Sequence, residues 1–468
     1  MKDDLYSLLI EYSKSDMYPF HMPGHKRQPD GSMIPYQIDL TEIEGFDNLH
    51  HPEGCIREIE RKAESLFHVK RAFLLVNGAT GGILAAIRSM TKPGDSVLIA
   101  RNCHRAVYNA IELCGLNAEY IYPQRLENYP SVCGSITEED VYTALKKHPD
   151  TKLVVITSPT YEGVGSDLAL ISEICYNCGA KLFVDEAHGA HLYFDRKTVT
   201  AMAAGVDVSV VSLHKTLPAL TQTALLLTND ESIESLLQAN LSVFETSSPS
   251  YVLMSSIERC VLQIEEHNSL FEVYEKRLES FYNKTSNLNK LKLLNNCLPE
   301  SVYDYDKGKL VIITSGTNLS GFDLAAVLRK KYKLETEMSA YDYVIAMTSV
   351  CDTDEGFNRL ADALTEIDKN IAFISNNEIS ICEIKPEKAY NSCECYLRDS
   401  AVKGISKVSG MVSHEDIFAY PPGIPLVVKG EIISEALINE IKRLEQSGVN
   451  IISSLNTYPN GLIVSDFN

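Results

Sequence analysis

The sequence lacks the features that would seat it in a membrane or on a nucleic acid. No uninterrupted apolar run is long enough to span a bilayer. The opening stretch, MKDDLYSLLIEYSKSDMYPF, has acids near its start and no basic segment leading into an apolar one, so no export signal is expected. Basic residues are the minority charge. The 43 Lys and Arg stand against 63 Asp and Glu, a formal charge of −20, which repels phosphate backbones and anionic lipid and favours cationic small molecules. Internal repeats, low-complexity tracts and the H-E-x-x-H spacing of a zinc hydrolase are also missing. Cys175 and Cys178 form a C-x-x-C with no second ligand pair, and no metal site is expected. Without an export signal, the twelve cysteines point to reduced thiols in a cytoplasmic protein. The C-x-x-C closes a helical pattern that stops at Gly179, where two small buried hydrophobes are the simpler reading.

What is present is an ordinary globular composition, 45% hydrophobic and 23% charged over 468 residues, which is enough chain for two or three domains. Residues 1–60 are rich in turn formers, and PFHMPGHKR and DNLHHPEGCI read as ordered loops. Short apolar runs then recur at 72–76, 96–100, 152–157, 181–186, 206–212 and 223–228, with helical patterns between most of them. This alternation predicts an α/β fold with a mostly parallel sheet covered on both faces. In such sheets ligands collect beyond the carboxyl ends of the strands. Residues 255–290 predict one long helical connector. The expected division is an N-terminal arm with active-site loops (1–60), a large domain (61–260), a small α+β domain with the connector (261–380) and a C-terminal domain (381–468).

The chemistry-bearing residues fall at the strand ends. The first strand runs into Asn77-Gly78-Ala79-Thr80-Gly81-Gly82, a turn whose free amides and Thr80 hydroxyl suit a phosphate, although such turns often serve only to reverse the chain. The second leads to His104, placed to stack on a planar group or simply to cap a helix. The fourth ends in Asp185-Glu186-Ala187-His188-Gly189-Ala190-His191, where a carboxylate on an apolar strand needs a cation. A metal ion or a protonated pyridine nitrogen would serve. The fifth ends in Ser212-Leu213-His214-Lys215, thirty residues beyond Asp185. An imine-forming lysine, a carboxylate for a pyridinium and a phosphate cup together make up a pyridoxal-phosphate site.

At these residues the sequence resembles the Orn/Lys/Arg decarboxylase family, of aspartate-aminotransferase-like (PLP fold type I) architecture, a large domain followed by smaller α+β C-terminal domains. The resemblance lies in FHMPGHKR (20–27), TEIEGFDNLHHPEG (41–54), LLVNGATGGI (74–83), ARNCHRAV (100–107), TSPTYEGVGSDL (157–168), VDEAHGAH (184–191), SLHKTLPALTQTALL (212–226), TSSPSYVLMSSIE (246–258) and AYPPGIPLVVKGE (419–431). It implies pyridoxal 5'-phosphate held by Lys215, its pyridinium paired with Asp185 and its ring face stacked on His104. It also implies a phosphate surrounded by Ala79, Thr80, Ser212 and His214, His188 among the cofactor-binding residues, and proton return by Lys215 or His214. Thr246 would reach the phosphate of a neighbouring subunit, so a homodimer with shared active sites is implied. The implied substrate is a basic L-amino acid, arginine first and lysine or ornithine next. Glu162, Asp47 and Glu53 are candidates for the acid that reads its distal charge, and His21, His25 and Lys26 are candidates for the site entrance. The sequence departs from the family pattern at Ala79, where a hydroxylic residue is usual, and at Lys429-Gly430-Glu431, where P-G-E is usual. Another fold-type-I reaction (transamination or a lyase step) and a non-catalytic pyridoxal-phosphate regulator are the alternatives.

Overall fold

A computed structural model describes residues 16–20, 26, 41–43, 46–195, 197–267, 269–374, 384–420 and 423–466. Its centre is a seven-stranded sheet. In chain order the strands are β1 (Arg71–Leu75), β2 (Ser96–Ala100), β3 (Asn117–Ile121), β4 (Thr151–Thr157), β5 (Lys181–Asp185), β6 (Val208–Ser212) and β7 (Ala224–Thr228), arranged β1-β7-β6-β5-β4-β2-β3. Strands β2 to β6 pair in parallel, while β7 runs antiparallel to both β6 and β1. RAFLL, VSVVS and ALLLT are buried along their whole length, as expected of strands covered on both faces. The α/β architecture expected from the alternation is therefore present.

Strand β3 has no counterpart among the predicted runs. It is an edge strand, and NAEYI buries only two of its five residues, so its sequence carries no continuous apolar run to stand out. Helix α1 (Cys55–Phe67) was likewise expected to begin as loop, and it buries Ile56, Ile59, Ala63 and Phe67 at helical spacing. Tyr18–Phe20, also expected as loop, forms a short strand parallel to Leu334–Thr336 and buries Phe20 completely. The single connector over 255–290 is two helices, Tyr251–Glu266 and Leu270–Lys284, because Leu270 N–H turns back to the His267 carbonyl between them.

Helix α2 (Gly78–Met90) crosses the sheet behind the first strand end and packs very close to it. A Cβ on Gly82 would lie 2.6 Å from Leu75 Cδ1 and 3.1 Å from Val210 Cγ2, so this glycine sets the helix–sheet distance. Helix α3 (Arg105–Cys114) follows β2, and α4 (Leu168–Cys178) ends in the left-handed cap Gly179 with Cys175 buried in its last turn. A second core, drawn mainly from residues 274–367, covers an antiparallel sheet of β8 (Lys292–Leu293), β9 (Lys309–Ile313), β10 (Met338–Ser339) and β11 (Tyr343–Met347) in the order β8-β9-β11-β10. A third gathers residues 408–464. Among the described residues no helix is long and apolar enough to cross a membrane.

Candidate active site

Beyond the carboxyl ends of the strands lies a cavity of about 620 Å³. Ala79, Thr80, His104, Asp185, His188, Ser212, His214 and Lys215 all line it. Thr246 does not. It is exposed, its carbonyl accepts a hydrogen bond from His50 Nε2 at 2.9 Å, and its hydroxyl accepts from Ser248 N–H.

One end of the cavity is built from uncharged donors. The chain leaves β1 through Gly78, at φ 69, and α2 begins with no side chain capping its first amides. Ser212 is 1% exposed and its Oγ has no partner among the described residues, a buried hydroxyl open to a ligand. His214 Nδ1–H donates to the Thr223 carbonyl at 2.8 Å, which leaves Nε2 for a ligand. Burial lowers the pKa of His214 against the pull of that carbonyl.

Near the ends of β4 and β5, Asp185 is 3% exposed and its Oδ1 accepts from Ala187 N–H at 3.0 Å. Thr157, paired with Asp185 across the strands, presents a buried hydroxyl beside Cys103. His104 caps α3, its Nδ1 accepting from Ala106 N–H at 3.2 Å, so in the neutral ring Nε2 carries the proton. The protein packed around it and the Lys215 and Arg105 charges hold its pKa below the ordinary value, with Asp185 opposing them.

In the middle, Lys215 Nζ lies 3.1 Å from His188 Nε2, and His188 Nδ1 lies 2.8 Å from Lys309 Nζ. Lys309 opens β9 of the second sheet, and Tyr161 packs its ring 4.7 Å from that of His188. Burial lowers the pKa of Lys215, with Asp185 and Glu337 working against it. Sequence patterning offers no sign of Lys309, since GKLVII reads only as the start of a buried strand. It joins the site by tertiary packing alone.

The remaining expectations divide. Glu162 lines the cavity, is 2% exposed and accepts from the Tyr343 hydroxyl at 2.9 Å. Asp47 instead spends its carboxylate on helix α1, accepting from the backbone N–H groups of Gly54 at 2.7 Å and Ile56 at 3.0 Å. Glu53 is exposed, and neither it nor Asp47 lines the cavity. Lys26 is not at an entrance: it is 2% exposed and donates to the Met347 carbonyl at 2.7 Å. His21 and His25 lie outside the described residues. His191 leaves the strand-end cluster to meet Asp306 at 3.1 Å. Among the described residues no group of three or more His, Cys, Asp and Glu is arranged to hold a metal ion.

A planar ring that bears a phosphate and a protonatable nitrogen fits this donor set. Unsatisfied Ser212 and the first amides of α2 suit the phosphate, Asp185 suits a cationic ring nitrogen, and Lys215 suits a carbonyl carbon.

Comparison with known proteins identifies related sequences and folds. The family model for Orn/Lys/Arg decarboxylase, major domain, matches residues 3–333. An arginine decarboxylase of Bacillus subtilis (strain 168) is 30% identical over 96% of this chain and 94% of its own length. One of Bacillus anthracis is 28% identical over the same shares of each chain. Among solved structures, the Francisella novicida lysine decarboxylase LdcF superposes with a TM-score of 0.79 at 17% identity, covering 98% of this chain and 80% of that one. The fold also extends to a Bacillus subtilis ureidoglycine-glyoxylate aminotransferase, with a TM-score of 0.54 at 15% identity over 69% of this chain and 86% of that one.

Proposed function

The chain belongs to the Orn/Lys/Arg decarboxylase family, and from that premise we propose that it releases CO2 from a basic L-amino acid, arginine by preference, with pyridoxal 5'-phosphate as cofactor. The observation that carries this reading is the convergence of Lys215, Asp185, His104 and the Ser212 and α2 donors on one cavity. Bound pyridoxal phosphate supplies an electron sink for the pair left behind when CO2 departs. The chain's own residues do the rest.

Ser212, Thr80 and the amides at Ala79 and Thr80 bind the phosphate group, where Ala79 contributes through its backbone alone. Asp185 holds a proton on the ring nitrogen, a fixed electrostatic effect typically of about 3 kcal/mol per group. His104 provides a flat surface against the ring. Lys215 Nζ would hold the group at its carbonyl carbon, with loss of water, and Lys215 or His214 would return a proton to the substrate's Cα, His214 only after taking one on Nε2. Burial of the cavity's centre excludes water, which strengthens each of these interactions. Glu162, the acid lining the cavity beside Tyr343, is the proposed reader of the substrate's distal charge.

The exposed Thr246 fits a second subunit's phosphate better than its own, which supports a homodimer with shared sites. The acidic surface and the unpaired cysteines of the described residues support work in the cytoplasm on a free cationic amino acid, giving an amine of the polyamine class. Arginine preference draws on the full-length relatives named arginine decarboxylase. One incubation with arginine, lysine and ornithine in competition tests the reading. Agmatine is the expected main product. A keto acid in place of an amine would turn the assignment to transamination, and unchanged amino acids with cofactor bound would turn it to a regulator.

A further inference from the structure

We propose that Lys309 is a positioning residue that acts through His188 to keep Lys215 in its uncharged, nucleophilic form. A neutral imidazole has one N–H and one lone pair, while an ammonium can only donate. Both ring nitrogens of His188 meet a lysine amine, at 2.8 Å for Lys309 and 3.1 Å for Lys215. Two ammonium groups would require both nitrogens to accept, and a neutral ring has only one that can. His188 is 6% exposed between two cationic side chains, surroundings that keep it from taking a second proton. One of the two lysines is therefore the free amine.

The surroundings assign the charge to Lys309. Asp306, Glu337 and Glu162 face it, and the Tyr161 ring centroid lies 5.7 Å from its Nζ. Asp185 and Glu337 face Lys215, and His104 and His214 complete the groups around His188. Lys309 also makes the shorter contact, as a charge-assisted bond does. Its ammonium then donates to Nδ1, which fixes the proton on Nε2, and Nε2–H can donate only to an unprotonated Lys215. The loop over this relay is shaped around Lys309. At Gly163, φ is 100 and a Cβ would come within 2.8 Å of Lys309 Cγ. Burial brings Lys309 itself down to about 8, so its charge is held at neutral pH and lost on mild alkalinisation.

The proposal rests on Lys215 being the cofactor lysine, but it is testable on the full chain without cofactor. Brief acetic anhydride pulses across a pH series, read by peptide mass spectrometry, give the midpoint at which Lys215 becomes reactive. Lys309→Met should raise that midpoint by about one unit or more, roughly tenfold less reactive amine at pH 7. Lys309→Arg should restore it, and His188→Phe should raise it although Lys309 remains. An unmoved midpoint in Lys309→Met overturns the proposal, and so does a midpoint raised there but not in His188→Phe, which would leave only through-space charge. If a variant does not fold, the ¹⁵N shifts of the His188 ring in the unaltered protein decide: a proton on Nε2 is expected, and one on Nδ1 overturns the relay. A normal Lys215 response with no yellow cofactor complex would instead defeat the functional reading and leave the relay standing.

Discussion

Arg101 and Lys215 both follow strands of the central sheet, and both bring a basic group inside the protein, yet they are compensated in opposite ways. Arg101 is 4% exposed and meets Glu431 in a two-pronged pair at 2.6 and 2.8 Å. Burial works against its charge, but Glu431 outweighs burial and holds the guanidinium above its ordinary pKa. Lys215 meets a histidine that is itself held by a second lysine. A buried cation given a full counter-charge keeps its proton and locks two segments together. A buried amine given a shared donor instead gives up its proton and stays reactive. The Arg101 pair ties the segment after β2 to Glu431, and the nearby Lys429–Glu112 pair at 2.8 Å helps, so the K-G-E departure creates an ion pair of its own.

The sharpest way to break the comparison is Lys215→Ala. Turnover should fall by about 10³-fold or more, as when a covalent catalyst is removed, while thermal stability holds or rises slightly because a poorly compensated buried amine is gone. CO2 release and a thermal melt on the same sample check both halves. Turnover that persisted with no added amine would remove Lys215 from the chemistry.

Glu431→Gln should show the reverse pattern. It strands a buried guanidinium and weakens the acceptor of Val428 N–H, so a loss of about 3 kcal/mol is expected in urea unfolding. Per folded molecule, turnover should change far less than in Lys215→Ala. Equal stability of variant and wild type would mean that the pair contributes nothing beyond a neutral hydrogen bond.

The same contrast explains what was legible in the sequence. Asp185, His104, Ser212 and Lys215 each sit at the end of a buried apolar run, so strand patterning alone put them on one edge of a parallel sheet. Lys309 reaches the site from a separate sheet and Glu431 meets Arg101 from 330 residues away, over distances that no periodicity encodes. Asp47 looked like a candidate because a loop carboxylate and a helix cap share the same chemistry, and only the amides of Gly54 and Ile56 separate them. Helix α1 and strand β3 went unread for a related reason, since elements buried on only part of their surface do not raise a continuous apolar run.

Glu245 sharpens the comparison from the other side, as a buried carboxyl with neither a cation nor a shared proton among the described residues. Its carboxylate accepts from Val76 N–H at 2.9 Å and Asn77 N–H at 3.4 Å, beside the turn into α2. Burial raises its pKa to about 7, and those two amides only partly offset the shift. A carboxyl whose pKa is higher folded than unfolded holds a proton in the native state that the unfolded chain has already released. Stability therefore falls as pH rises from the unfolded value, about 4.5, to about 7, and the deficit persists above that. Glu245→Gln cannot ionise, so it should be more stable than wild type by about 1–3 kcal/mol at pH 8. The advantage should shrink through the window and vanish by pH 4, as read from urea midpoints across the series. A pH-independent gain would assign the effect to packing, and a loss at pH 8 would mean that the two amides, like Glu431 for Arg101, compensate the buried charge in full.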